Sequence, residues 1–169
     1  MKERTLVLLK PDAVSRHLVG KIISRFEEAG LKIIAMKMVW ADEEFARQHY
    51  GPELDERYKE VEEKFGRNVR TELVEYLKQG PIVAIVLEGI DAINVVRKIV
   101  GSTYPNESPA GTIRGDFAHI SKAYANSNDV MVKNLVHASD TPENAKKEIS
   151  LWFSEKELHN HKTVSDFFM

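Results

Sequence analysis

A histidine, a hydroxyl and a carboxylate crowd the end of one hydrophobic run, and they are the residues of this chain best placed to do chemistry. They lie in Asn134-Leu135-Val136-His137-Ala138-Ser139-Asp140. The apolar residues Val130, Met131, Val132, Leu135 and Val136 predict a last strand from Val130 to Val136, with the imidazole at its end. Thr141-Pro142 then opens a helical pattern that carries Glu148 and ends near Trp152-Phe153. Proline suits the first helical position, and Thr141 or Asp140 can cap it. A helix start presents free N–H groups and a positive dipole end, both of which favour phosphate. A neutral histidine beside it is a competent nucleophile near neutral pH. Taken alone, a histidine at a strand end is usually a half-buried polar residue without chemistry. The rest of the chain changes that balance.

Cationic and hydroxyl residues gather in two further places. Lys10 ends the first hydrophobic run in Leu8-Leu9-Lys10-Pro11-Asp12. The segment from Arg97 to Asp116 holds Arg97, Thr103 and Arg114 between regularly spaced glycines and prolines. Loops this long in a compact domain are functional or disordered, and the turn residues with Tyr104 and Phe117 argue for order. Three cations, a threonine and a histidine, each at an element end or in one loop, suit a polyphosphate. There is no Gly-x-x-x-x-Gly-Lys and no Gly-x-Gly-x-x-Gly. Side chains, not a glycine-rich loop, must therefore hold the phosphates.

The elements that must position these residues can be read from periodicity. Thr5 to Leu9 reads as a strand. Val19, Ile22, Ile23, Phe26 and Ala29 fall at helical spacing, closed by Gly30. Leu31 to Trp40 is a strand, and Asp42 to Tyr50 a short helix capped by Asp42. Thr71 to Lys78 is a helix ended by Gly80-Pro81, and Ile82 to Leu87 a continuous apolar strand. Ile90, Ile93, Val96, Ile99 and Val100 mark another helix. The major elements read βαββαβ, an α+β, ferredoxin-like sandwich with helices on one face of an antiparallel sheet and small helices added. The charged stretch Gly51 to Asn68 reads as a solvated helical excursion.

With 169 residues the chain suits one domain spanning 1–169 with a real core. A net charge of -2 supplies no general drive toward nucleic acid or an anionic membrane, so nucleic acid is not expected as a primary partner. No cysteine is present, which suits a reducing compartment. The first hydrophobic run is too short for a signal peptide or a membrane span. A cytoplasmic protein is expected. His159 and His161 on the polar tail lack further ligands, and no protein metal site is expected.

Four segments resemble the signatures of nucleoside diphosphate kinases, in that family's order. They are Lys10-Pro11-Asp12, Gly111-Thr112-Ile113-Arg114-Gly115-Asp116-Phe117, Asn134-x-x-His137-x-Ser139-Asp140 and Glu148-Ile149-Ser150-Leu151-Trp152-Phe153. The similarity runs from about Glu3 to about Leu158. It implies a ping-pong reaction. His137 takes the γ-phosphoryl of a nucleoside triphosphate, mainly ATP, and passes it to a nucleoside diphosphate, which maintains NTP and dNTP pools. One nucleotide site then serves both half-reactions. The resemblance implies catalytic roles for His137, Glu148, Ser139 and Lys10. It implies nucleotide contacts from Lys10, Tyr50, Arg97, Thr103, Arg114 and Asn134, with Asn134 at the sugar hydroxyl. Glu148, with Ser139 beside it, would orient the imidazole; the cations and Thr103 would clamp phosphate charge. Mg2+ would arrive on the phosphates. The family forms homo-oligomers, hexamers above all, with tetramers or dimers built from a common dimer. A relative that has lost catalysis is the main alternative, and Lys10, His137 and Glu148 together argue against it. The other histidines, His17, His49, His119, His159 and His161, are expected to be dispensable.

The departures are specific. Where many relatives have Pro-Phe-Phe before a Leu-Val-x-Tyr helix, this chain has Asn68-Val69-Arg70-Thr71-Glu72 before Leu73-Val74-Glu75-Tyr76, so the phenylalanine that stacks on the base is missing at the matched place. Phe65, Tyr58 or Arg70 could replace it. Ala138 stands where many relatives have glycine. Ser121 to Asp129 reads as an insertion that lengthens a hairpin.

Overall fold

The computed structural model describes residues 1–164. The chain runs β1 (Lys2–Leu9), α1 (Pro11–Ser15), α2 (Val19–Glu28), β2 (Lys32–Val39), α3 (Glu43–His49), α4 (Glu53–Arg57), α5 (Lys59–Phe65) and α6 (Val69–Lys78). It continues through β3 (Ile82–Ile90), α7 (Ala92–Val100), α8 (Ile113–Phe117), α9 (Lys122–Ser127), β4 (Val136–Ala138) and α10 (Pro142–Trp152). Four strands form one antiparallel sheet in the order β2-β3-β1-β4. The expected unit extends to residue 169, and its last five residues lie outside the described ones.

Both faces of the sheet are covered, not one as the sequence suggested. Successive side chains of a strand point to opposite faces. In β1, Val7 and Leu9 pack under α2 and α7 with Ile22, Phe26 and Val96. Leu6 and Leu8 pack on the other side with Ala46 of α3, Val74 and Leu77 of α6, and Trp152 of α10. β1 and β3 are apolar at both parities, so neither face tolerates water. Burying a side chain of this kind stabilises by about 1.5–3 kcal/mol before entropy is counted.

The last strand is displaced and short. It covers Val136–Ala138, and the run from Val130 to Val132 is not strand. Leu135 is the reason: its φ is +69°, a left-handed conformation that interrupts a ladder. That conformation is held by Lys10 N–H donating to Leu135 C=O at 2.8 Å and by the Asp12 carboxylate accepting Leu135 N–H at 3.1 Å. Ser121 to Asp129 forms α9, not a hairpin, because the Ser121 hydroxyl caps it by accepting Tyr124 N–H. The excursion 51–68 folds as α4 and α5. It is solvated along most of α5, but Arg67 beyond it is buried, ion-paired to Glu72 and donating to the carbonyls of Ala125 and Val130. Arg67 thus ties the excursion to α9. Among the described residues no helix is long and apolar enough to cross a membrane.

Candidate active site

β1 and β4 lie side by side, with Leu8 opposite His137 and Leu9 opposite Val136. This pairing brings Lys10, just past β1, to the level of the imidazole. Thr141 caps α10 by accepting Asn144 N–H, and Pro142 takes the first helical position. The helix then runs back over the sheet and returns Glu148 to His137. His137 Nε2 lies 3.0 Å from Glu148 Oε1. The other carboxylate oxygen accepts the Ser139 hydroxyl, and Ser139 Oγ in turn accepts Leu6 N–H at 3.3 Å. Ser139 is fully buried behind this pair. Burial by itself would push the Glu148 carboxyl up, but His137, His49 and the Ser139 hydroxyl outweigh it and the net shift is downward. An ionised acceptor at Nε2 puts the imidazole proton there. Nδ1 keeps its lone pair and makes no hydrogen bond among the described residues.

The opposite half of the site is cationic. Lys10 is only 4% exposed, and its Nζ donates to Asn134 Oδ1 at 2.9 Å. It also sits 5.0 Å from the centre of the Tyr76 ring. Burial and then Arg114 lower its pKa to about 7, with Asp12 opposing. Arg114 is 9% exposed and donates to the carbonyls of Asn134, Val136, Gly101 and Ser102. Burial and then Arg97 lower its pKa to about 10. Neither cation has a carboxylate ion-pair partner among the described residues. Two poorly compensated buried charges favour an anion between them and the imidazole.

Local chain geometry holds Arg114 in place. Thr112 caps α8 by accepting Gly115 N–H. A Cβ at Gly115 would meet the Pro109 carbonyl oxygen at 2.2 Å, so only glycine permits this approach. Asp116 closes the loop by accepting Gly111 N–H at 2.8 Å and pairing with Arg25 of α2.

The cleft has a volume of about 490 Å3. It brings together Lys10, Tyr50, Arg97, Thr103, Arg114, Asn134, His137 and Glu148, although they come from six separate stretches of chain. Arg97 and Thr103 are exposed on its wall. Asn134 is fixed at both ends of its amide, with Nδ2 donating to Thr103 C=O at 2.8 Å. The Tyr50 hydroxyl is buried without a hydrogen-bond partner among the described residues, and burial, then Glu148, raises its pKa. Of the three candidates for base stacking, Tyr58 lines the cleft. Phe65 and Arg70 do not. Arg70 is committed to Tyr50 C=O at 2.9 Å and to Asp55 at 3.1 Å, and Phe65 is 41% exposed at the end of α5.

Three neighbours of these side chains were not singled out by the sequence reading. Asp12 and Tyr76 hydrogen-bond to each other beneath Lys10. His49, grouped with the dispensable histidines, packs against His137 with ring centres 4.6 Å apart. His17, His119, His159 and His161 are exposed and do not line the cleft. Among the described residues the only three-residue group with metal-ligand spacing is His49, His137 and Glu148, whose ligand atoms lie within 4.8 Å of one another. Two nitrogens and one oxygen do not fit Mg2+, which takes oxygen ligands.

Comparison with known proteins gives the family. The family model for nucleoside diphosphate kinase matches residues 3–158. A nucleoside diphosphate kinase of Pyrobaculum aerophilum is 45% identical, over 92% of this chain and 97% of that protein. One of Pyrococcus furiosus is 44% identical, over 98% of this chain and 92% of that protein. Among solved structures, a transition-state mimic of the Borrelia burgdorferi enzyme with bound vanadate and ADP superposes with a TM-score of 0.90 at 37% identity, covering 98% of this chain and 95% of the other.

Proposed function

The chain belongs to the nucleoside diphosphate kinase family and transfers a phosphoryl group from a nucleoside triphosphate to a nucleoside diphosphate; we propose that it does so in two steps through a phosphohistidine at His137. The observation that carries this reading is the orientation of one ring. Nε2 is held by Glu148 at 3.0 Å, which leaves Nδ1 as the free nitrogen of a ring that lines the same cleft as Lys10 and Arg114.

In the first half-reaction the Nδ1 lone pair forms a bond to the γ-phosphorus. The bond from that phosphorus to the β–γ bridging oxygen breaks, and the nucleoside diphosphate leaves with the electron pair. Positive charge develops on the imidazole, and Glu148 stabilises it through the Nε2 proton while Ser139 keeps the carboxylate in place. A second nucleoside diphosphate occupies the same cleft and its terminal oxygen takes the phosphoryl group back, regenerating neutral His137. Lys10, Arg97 and Arg114 balance phosphate charge, and Thr103 and the Tyr50 hydroxyl supply hydrogen bonds. Positioning and electrostatics of this kind carry most of phosphoryl transfer. Asn134 and Lys10 meet the sugar's 3'-hydroxyl, so ribose and deoxyribose substrates both serve. ATP is the main donor, and the product pools are NTPs and dNTPs. Mg2+ would arrive with the nucleotide's phosphates and, when bound, would neutralise phosphate charge.

Tyr58 is the stacking surface for the base. A base held by stacking rather than by directed hydrogen bonds is poorly discriminated, so adenine, guanine, cytosine and uracil nucleotides are all used. Residues 1–169 act as one catalytic unit, in a cytoplasmic homo-oligomer with a hexamer favoured. The test is brief incubation with γ-labelled ATP and Mg2+. An acid-labile, base-stable label on His137 is expected. A label mapped to another residue, or none, would overturn the mechanism.

A further inference from the structure

The cleft holds a second imidazole for which the two-step reading has no task. His49 ends α3, and its Nδ1 accepts the indole N–H of Trp152 at 3.2 Å. A neutral imidazole carries one proton, so an acceptor at Nδ1 puts that proton on Nε2. Nε2 is buried, with no hydrogen-bond partner among the described residues. Burial drives the His49 pKa well below its usual value, helped by His137, Lys10 and Lys147 and opposed by Glu148. The ring meets His137 edge to face, with centres 4.6 Å apart and planes at 85°. It also touches Tyr50 on the chain and Trp152 in α10.

A metal is the first thing such a group suggests, since His49, His137 and Glu148 have the ligand types of a zinc site. The hydrogen bonding argues otherwise. One nitrogen of His49 is occupied by Trp152 and the other carries its proton, so a metal ion would have to displace one of them. A positioning role fits better. The hydrogen bond to Glu148 fixes one edge of His137 but leaves the tilt of the ring about that edge undetermined. A second ring packed at right angles determines it. A cationic side chain in that place would oppose the positive charge that attack places on His137, whereas a neutral imidazole does not.

We propose that His49 is a positioning residue for the nucleophile: seated on Trp152 and packed edge to face on His137, it holds the imidazole in the orientation in which Nε2 meets Glu148 and Nδ1 faces the cationic wall. The proposal rests on His137 being the phosphorylated residue.

Single-turnover labelling of the full chain with γ-labelled ATP tests it. His49→Ala removes the contact. His49→Phe keeps a ring and leaves the Trp152 N–H unmet. His49→Gln offers both an acceptor and a donor at similar reach. The maximal labelling rate should fall by up to about a hundredfold in the alanine variant, the scale of a misplaced reacting group. The ATP concentration for half-maximal rate should stay unchanged, and the glutamine variant should recover part of the loss. The 15N spectrum of His137 should show a single Nε2–H tautomer in the wild type and a mixture in the alanine variant. A folded alanine variant that labels at the wild-type rate, or whose loss lies wholly in the half-saturating ATP concentration, overturns the proposal. Should the alanine variant not fold, the wild-type 15N spectrum decides. His49 must appear as the Nε2–H tautomer, and an Nδ1–H tautomer or a shift on adding one equivalent of Zn2+ overturns it. No label on His137 in the wild-type protein would instead overturn the two-step reading, and His49's task with it.

Discussion

The two walls of the cleft are built differently. On the imidazole wall, His137, Ser139 and Glu148 lie within twelve residues of one another, and their polar groups are largely met from inside the protein. On the cationic wall, Lys10, Arg97 and Arg114 come from distant stretches, and the charges of Lys10 and Arg114 are buried without carboxylate partners among the described residues. The first wall is internally hydrogen-bonded. The second is left deficient in negative charge by its own burial, which suits it to the phosphate of the proposed mechanism. A nucleophile needs its geometry before substrate arrives, whereas a charge clamp gains by being compensated only when the substrate is present.

Removing the nucleophile is the harshest way to break this contrast. His137→Ala should abolish labelling and nucleotide exchange while the fold survives, since His137 lies at the cleft and is only partly buried. Circular dichroism and a labelling gel check both halves of that statement. Exchange activity retained in a folded variant would place the chemistry elsewhere.

Next come the cations. Lys10→Ala or Arg114→Ala should slow turnover by about two to three orders of magnitude, the scale of losing a preorganised charge donor. The Arg114 variant should also lose stability, because four carbonyls each lose a hydrogen bond from the guanidinium. Steady-state rates and thermal melts separate the two effects, and normal turnover in either variant would show that the phosphate lies elsewhere.

Tyr58→Ala sharpens the picture at the cleft's mouth. It should weaken binding of adenine, guanine, cytosine and uracil nucleotides alike, by about tenfold, the scale of a lost base–aromatic stack. A loss confined to one base would reveal a directed contact. Relative kcat/KM values for the four diphosphates should differ by no more than about two-hundredfold.

The smallest effect is a proton. The free enzyme's Lys10 has its pKa lowered to about 7, so above that pH it is largely neutral. A bound phosphate favours the charged form and raises the pKa. Nucleotide binding should therefore take up part of a proton at pH 8 and almost none at pH 6. Calorimetry in buffers of different ionisation enthalpy measures this. Uptake that is absent at pH 8, or that persists in Lys10→Ala, would mean that the group lies outside the phosphate site.

Much of the fold was legible in periodicity, because β1, β3, α2 and α7 each carry a strong apolar pattern. What failed shares one cause. Val130 to Val132 has strand composition, but Leu135 takes a left-handed conformation that depends on Lys10 and Asp12, more than 120 residues away. The second covered face likewise depends on where α3, α6 and α10 dock, which local pattern does not encode.

The sequence by itself determined the chemical vocabulary of the site: His137 at an element end, Glu148 down the following helix, and cations with a threonine in one ordered loop. It also carried the family, through four segments in order. Only the tertiary structure decided which nitrogen of His137 is left free, that Tyr58 and not Phe65 or Arg70 faces the cleft, and that His49 belongs to the site. Residue types and short spacings are local properties of a chain. Ring orientation, burial without a counter-charge and contact between α3 and α10 arise only when distant segments exclude water together.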